Sequence, residues 1–164
     1  MRARWIPCSE MEHILAALHP MNKLACEVSL ATGLRIGDVL LLETPKLKRR
    51  FTIYEQKTGK RRSVYMPKAL LEQCRRMGGR YYVFQGRNNA KTTRTRQAVY
   101  KDLKRSVRLF RAEKDISVHS LRKMYAVNLY KRTKSLAKVQ HLLNHSSEAV
   151  TLLYALADVV TKRR

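Results

Sequence analysis

SVHSLRKMYAVNLYKRTKSLAKVQHLLNHSSEAVTLLY, residues 117–154, is the stretch on which the reading of the whole chain turns. Ser117 starts a helix whose core stripe is Leu121, Met124, Tyr125 and Leu129, and Leu136 to Leu143 is a second amphipathic helix. Those apolar positions account for packing without His119, Arg122, His145 or Tyr154. His119 and Arg122 are three residues apart, so on a helix they project as neighbours to one side of the stripe. His119 also falls in the first turn, where free N–H groups and the helix dipole favour an anion. Asn144 stands where a left-handed residue commonly ends a helix, which puts His145 in a tight link. Ser146 or Ser147 can then cap a final helix bearing Tyr154. Four reactive side chains at spacings that a core does not require pose the question of a single site.

Composition narrows what such a site could meet. The chain has 164 residues, 45% of them hydrophobic, enough for one domain that buries most of its apolar surface and too few for two. Thirty-five Lys and Arg against twelve Asp and Glu give a formal charge of +23, which is matched to a polyanion, nucleic acid first. A membrane-surface protein would show a basic amphipathic helix or a lipid anchor, and a ribosomal or chromatin-like protein would show basic tails with little core. Neither pattern is present. No run approaches the ~18 consecutive apolar residues of a membrane span, and no signal-peptide core is found at the N-terminus. The expectation is a cytoplasmic, nucleoid-associated protein with no membrane partner. Cys8, Cys26 and Cys74 are too few, too far apart and odd in number for a disulfide framework or zinc knuckle, so they read as reduced thiols.

The chain before residue 117 supplies more elements. Ser9 to Glu12 spells a capping box ahead of Ile14, Leu15 and Leu18, predicting a helix that stops before Pro20. A second helix is expected from Met21 to Thr32, ended by Gly33, and a short one over Arg35 to Leu42, closed by Thr44 and Pro45. Arg35 therefore sits at a sharp corner between helices, with Asp38 three residues on as an ion-pair partner; alone, it reads as a surface pair. Phe51 to Tyr54 and Ser63 to Met66 flank Gln56 to Lys60 as a β-hairpin with a Gly-containing turn. Lys57 stands at that turn, where a lysine is ordinarily just solvated. Pro67 opens a helix with Leu70, Leu71 and Cys74 on its apolar side, ending at Gly78 and Gly79, and Tyr81 to Phe84 reads as a third strand beside the hairpin. Thr93 to Arg111 is helical, with Val99, Leu103, Val107 and Phe110 as the buried stripe. Between Lys91 and Arg111 there are eight basic residues and one acid, Asp102, so phosphate contact is expected from Lys91, Arg94, Arg96, Lys101, Lys104, Arg105 and Arg108, joined by Lys60 on the hairpin.

Four stretches in order, ATGLRIGDVL (31–40), QKTGKRRSVYMP (56–67), HSLRKMYA (119–126) and LLNHSSEAVTLLY (142–154), resemble the catalytic domain of the tyrosine recombinases, the phage integrase family. That family shows a T-G-L-R corner, a lysine on a β-hairpin, an H-x-x-R pair, an L-G-H-S-S link and a tyrosine nine residues beyond its histidine. The resemblance implies an α+β, mostly helical catalytic domain over residues 1–164 with a small three-stranded antiparallel sheet. As a departure from the family pattern, the separate N-terminal core-binding (arm) domain is expected to be absent, since only a few residues precede the first helix. By the same resemblance Tyr154 is the nucleophile, Arg35 and Arg122 clamp the scissile phosphate, and His119 accepts a proton. His145 takes a position held by His or Trp, and Lys57 protonates the leaving 5′ oxygen; Lys60 is the alternative for the lysine role. Asn144 in place of Gly and Asp38 in place of the commoner Glu are departures from the pattern.

The chemistry suits these residue types. A phenol of ordinary pKa ~10 lies about three units from ionising at neutral pH, a handicap of roughly 4 kcal/mol unless a base or the surroundings relieve it. Two planar guanidiniums match the charge that grows on the non-bridging oxygens, and by analogy with arginine fingers each is worth on the order of 10³ in rate. A 3′-phosphotyrosyl link stores the bond energy, so the implied reaction uses neither cofactor, ATP nor metal. The expected activity is site-specific recombination of double-stranded DNA by a protein that self-associates on DNA as a dimer or tetramer and is a monomer when free. Two alternatives remain open: a type IB topoisomerase-like enzyme that only relaxes and reseals DNA, and a non-catalytic DNA-binding module that retains the fold.

Overall fold

Helix α2 (Pro20–Thr32) is the element around which the others assemble: it touches α1 (Cys8–Ala16), α3 (Ile36–Leu40), α4 (Lys68–Met77), α5 (Arg96–Leu109) and α6 (Val118–Thr133). In this computed structural model, residues 8–110 and 116–143 are described. Leu24, Ala25, Cys26 and Val28 of α2 are wholly buried, which gives a helix surrounded on most sides rather than one with a single apolar stripe. Pro20 occupies its first turn, where the missing N–H is no loss, and His19 caps it by accepting from the Met21 N–H through Nδ1 at 3.3 Å. Gly33 ends it at φ +67°, donating its N–H to the Ser29 carbonyl. The expected helix at Arg35 begins one residue later, at Ile36, because Arg35 itself is extended and serves as the N-cap.

Strands β1 (Arg50–Tyr54) and β2 (Arg61–Tyr65) pair antiparallel, with Thr52 opposite Ser63 at the centre. The inward face carries Phe51 and Ile53 on one strand and Arg62 and Val64 on the other; Arg50, Tyr54, Arg61 and Tyr65 face solvent. The third strand expected at Tyr81 to Phe84 is not formed: among the described residues the sheet has two strands. The backbone there is spent on two neighbours, with the Val83 N–H donating to Leu42 and the Arg94 N–H to Phe84, both away from the hairpin. Val83 and Phe84 are adjacent and both fully buried, a pattern incompatible with the alternating faces of an edge strand.

α5 starts at Arg96, three residues later than its apolar spacing suggests, because Thr95 is the N-cap and accepts from the Ala98 N–H at 3.1 Å. Val99, Leu103 and Val107 are buried as expected, but Phe110 is 47% exposed; Ser106 takes the inward place, its hydroxyl donating to the Ile14 carbonyl at 2.5 Å. α6 is opened by a capping box between Ser117 and Ser120 and closed by Lys134 in the left-handed region. α7 (Leu136–Leu143) folds back on α6, and Ala126, Leu129, Val139 and Leu143 make a small second core. Burial pushes the thiols of Cys26 and Cys74 up to about 12, with nearby acids adding to it, so they remain protonated core side chains. Among the described residues no helix is long and apolar enough to cross a membrane.

Candidate active site

The corner after α2 places the first candidate. Gly33 turns the chain, Leu34 is buried, and Arg35 emerges with its side chain 15% exposed. Its Nη1 donates to Glu55 Oε2 at 3.0 Å. Asp38, the partner expected from spacing, instead accepts from the Gln56 N–H at 2.9 Å, tying α3 to the start of the hairpin turn. Its second oxygen, Oδ2, is buried and has no hydrogen-bond partner. Burial raises the Asp38 carboxyl, opposed by the Gln56 N–H and by Arg35 and Arg122, and reinforced by Glu55.

Glu55 extends the inward register of Phe51 and Ile53 by one more step and is fully buried. It accepts from Arg35 and from the Thr58 hydroxyl at 3.0 Å on Oε2, and from Arg62 Nη1 at 3.3 Å on Oε1. Burial alone would raise this carboxyl; the Thr58 hydroxyl and the two guanidiniums outweigh it and hold the group below the ordinary carboxylate range. Arg62, 6% exposed, also donates to the Thr32 carbonyl at 2.8 Å and the Gly33 carbonyl at 3.3 Å. Neither Glu55 nor Arg62 was singled out from the sequence. The signal was present: counting by two from Phe51 and back from Val64 puts both on the core face, and two opposite charges there announce a buried pair.

Lys57 is exposed in the turn, two residues past Glu55, where Gly59 at φ +65° lets the chain reverse. Lys60 is exposed at the far side of the same turn. Arg122 comes from α6 and is only 6% exposed: Nη1 donates to the Gly33 carbonyl at 2.6 Å and Nη2 to the Leu143 carbonyl at 2.7 Å. It therefore fastens α6 both to the corner that carries Arg35 and to the end of α7, immediately before Asn144. His119 is exposed in the first turn of α6. The structure thus brings Arg35, the Lys57 turn and Arg122 into one hydrogen-bonded framework through Glu55 and Gly33. Asn144, His145, the serines after it and Tyr154 lie outside the described residues.

The basic residues of the α5 region divide. Arg94 donates through Nε to Asn22 at 2.6 Å, and Arg105 binds Asp102 and the Ala17 carbonyl, both at 2.7 Å, so these two hold α5 against α1 and α2. Lys91, Arg96, Lys101 and Arg108 are exposed, and the Lys104 ammonium lies 5.7 Å from the Tyr100 ring centre. The Arg96 stem passes over Gly37, where an added Cβ would stand 3.2 Å from its Cδ, so this one cation leans over α3 beside the candidate site.

The chain resembles known proteins in sequence and in fold. The phage integrase family model matches residues 4–159. A probable integrase/recombinase of Bacillus subtilis, YoeC, is 31% identical over 138 residues, covering 80% of this chain and 75% of that protein. The lambda integrase catalytic core is similar in structure, with a TM-score of 0.73 at 22% identity over 88% of this chain and 92% of that one. The lambda integrase dimer bound to a COC′ core site gives 0.77 at 22% identity, covering 93% of this chain but 59% of that one. At such identity the structural likeness is one of fold; the family match and the Bacillus relative carry the assignment, and with them the chain belongs to the phage integrase family, the tyrosine recombinases.

Proposed function

We propose that this chain is the catalytic unit of a site-specific DNA recombinase that cleaves and rejoins strands through a 3′-phosphotyrosyl intermediate. The observation that carries the reading is the hydrogen-bonded framework of Gly33, Arg35, Glu55 and Arg122, which draws the corner, the hairpin turn and α6 together although they lie far apart in sequence. In the proposed reaction the Tyr154 oxygen attacks the scissile phosphorus while its proton passes to His119. Arg35 and Arg122 face the non-bridging oxygens as charge grows on them, and His145 is the further proposed contributor to the reaction. The bond to the 5′ oxygen breaks, and Lys57 delivers the proton that this leaving group needs. Attack by a 5′ hydroxyl of the same or another strand reverses the steps, so the bond is conserved without ATP.

Double-stranded DNA is the proposed partner, met by Lys60, Lys91, Arg96, Lys101, Lys104 and Arg108, and assembly on the site as a dimer or tetramer follows from exchange between two duplexes. Arg94 and Arg105 act through the fold rather than at phosphate. The proposed place of action is the nucleoid.

A nicked suicide duplex carrying the recognition site tests the reading, because loss of the short strand traps the adduct. The expected result is a covalent protein–DNA species that disappears in Tyr154→Phe. Wild-type protein that binds the site and forms no adduct would leave the non-catalytic module as the function, and supercoil relaxation without strand exchange would favour the topoisomerase-like alternative.

A further inference from the structure

Two candidate groups, Arg35 and Lys57, come from segments with no inherent reason to hold a fixed relation. One is a long side chain at a corner and the other stands on a hairpin turn. Both are tied to one side chain. Glu55 receives Arg35 on Oε2 and, on the same oxygen, the Thr58 hydroxyl from the residue after Lys57. Its backbone closes the turn as well: its N–H donates to Lys60 at 3.0 Å, and its carbonyl accepts from Thr58 at 3.3 Å and Gly59 at 2.8 Å.

A fully buried carboxylate is a costly choice for a place in register with Phe51 and Ile53, where an apolar residue would extend the core. Nor is it needed to anchor the hairpin, since Arg62 already reaches the Thr32 and Gly33 carbonyls. The carboxylate holds the partly exposed Arg35 guanidinium and the Lys57 turn to a common point, beside the Gln56 N–H bond to Asp38 that ties α3 to the same turn.

We propose that Glu55 is a positioning residue for strand cleavage, setting Arg35 and Lys57 in fixed relation through its carboxylate; this rests on the recombinase chemistry above. Glu55→Gln keeps the shape and one accepting oxygen but removes the charge that binds the guanidinium. In single-turnover adduct formation on the suicide duplex, the expected effect is a slowing of about 10²-fold at unchanged duplex affinity, the loss that accompanies a misplaced reacting group. Glu72→Gln, at an exposed carboxylate on α4, serves as the control and should match wild type.

A double-variant cycle separates positioning from simple loss of structure. If Glu55 acts through Arg35, Glu55→Gln slows the Arg35→Lys protein far less than it slows wild type, whereas general destabilisation slows both equally and overturns the proposal. Thr58→Val, which removes the hydroxyl that shares Oε2 with Arg35, should slow adduct formation several-fold, on the order expected of a loosened turn; an unchanged rate would remove the Lys57 half of the idea. Side-chain nitrogen NMR of the DNA-free protein gives a reading independent of cleavage. Rotation of the Arg35 guanidinium should be restricted in wild type and freer in Glu55→Gln. Equal rotation in the two overturns the role of Glu55 alone, whereas a wild type with restricted rotation and no adduct on its site overturns the recombinase reading and, with it, any cleavage for Glu55 to position.

Discussion

Arg122, proposed above as a phosphate clamp, is in the structure a brace between elements. Its guanidinium is planar, and two of its nitrogens are already committed to the Gly33 and Leu143 carbonyls. That fixes the plane before any phosphate arrives, so a substrate would meet a preset group rather than a flexible one. Arg122→Ala is expected to lower stability by about 1–3 kcal/mol, because the Leu143 carbonyl loses its buried donor and Gly33 keeps only the longer bond from Arg62. A urea titration measures this directly. Arg122→Lys should recover little of it, since one ammonium cannot span two carbonyls on different elements. A full recovery by Lys would mean that charge, rather than the fork, is what the site needs.

At the scale of elements, the corner between α2 and α3 makes the sharpest demand on sequence. Gly33 lies at φ +67°, and a Cβ there would overlap the Tyr125 ring of α6. Gly33→Ala is therefore expected to destabilise by more than the roughly 1–2 kcal/mol of a left-handed L-residue. Adding Tyr125→Ala should remove the overlap, so that the double variant is less damaged than the two single losses added together. Denaturation midpoints of the four proteins close that cycle, and strict additivity would contradict the packing described. The corner itself was legible in the sequence, as were the hairpin, the glycine that ends α2 and the buried faces of α1, α4 and α6, because each depends on short-range chemistry: glycine at a helix end, alternation in a strand, apolar residues at helical spacing; the capping box read at Ser9 was not, since α1 already runs from Cys8 and takes Ser9 inside it. The third strand was misread because Tyr81 to Phe84 has the composition of a strand, while its partners, Leu42 and Arg94, are set by tertiary packing. Phe110 failed as a core residue for a similar reason, with Ser106 bonded to α1 in its stead. Of the candidate site, the motifs identified Arg35 and Arg122, but not the carboxylate between the halves, because a glutamate in a hairpin looks like a surface residue until its register is counted.

For the molecule as a whole, Asp38, Glu55 and Asp102 are carboxylates that tie elements together among the described residues. Asp102 joins α5 to the start of α2, accepting from the His19 N–H at 2.8 Å and Asn22 at 2.7 Å as well as from Arg105. Burial would raise its carboxyl, but these donors, led by Asn22 and Arg105, hold it below its ordinary value. Groups depressed in this way lend stability that is complete above their unfolded values, 4.5 for Glu55 and 3.8 for Asp102, and is lost as pH falls through the lower folded ones. Asp38, raised on folding, works in the opposite sense and is relieved on protonation. Acid should therefore unfold the chain through Glu55 and Asp102. A series of melting temperatures is expected to fall steeply below about pH 4.5 in wild type and less steeply in Glu55→Gln. Parallel acid limbs in the two proteins would place the acid sensitivity elsewhere.

The Gly33 carbonyl, shared by Arg62 from the hairpin and Arg122 from α6, has a consequence for how the molecule comes apart. With a lysine or arginine at roughly every fifth residue, the chain offers trypsin a cut almost anywhere its backbone is exposed. The peptide bonds after Arg62 and Arg122 are among the protected ones, because each buried guanidinium must leave that oxygen, and the corner must open, before its side chain can enter the protease. Their cleavage is a clock for the opening of the corner: the two cuts should appear together, late in a limited digest, and mark the moment at which the hairpin and the helical half stop being one object.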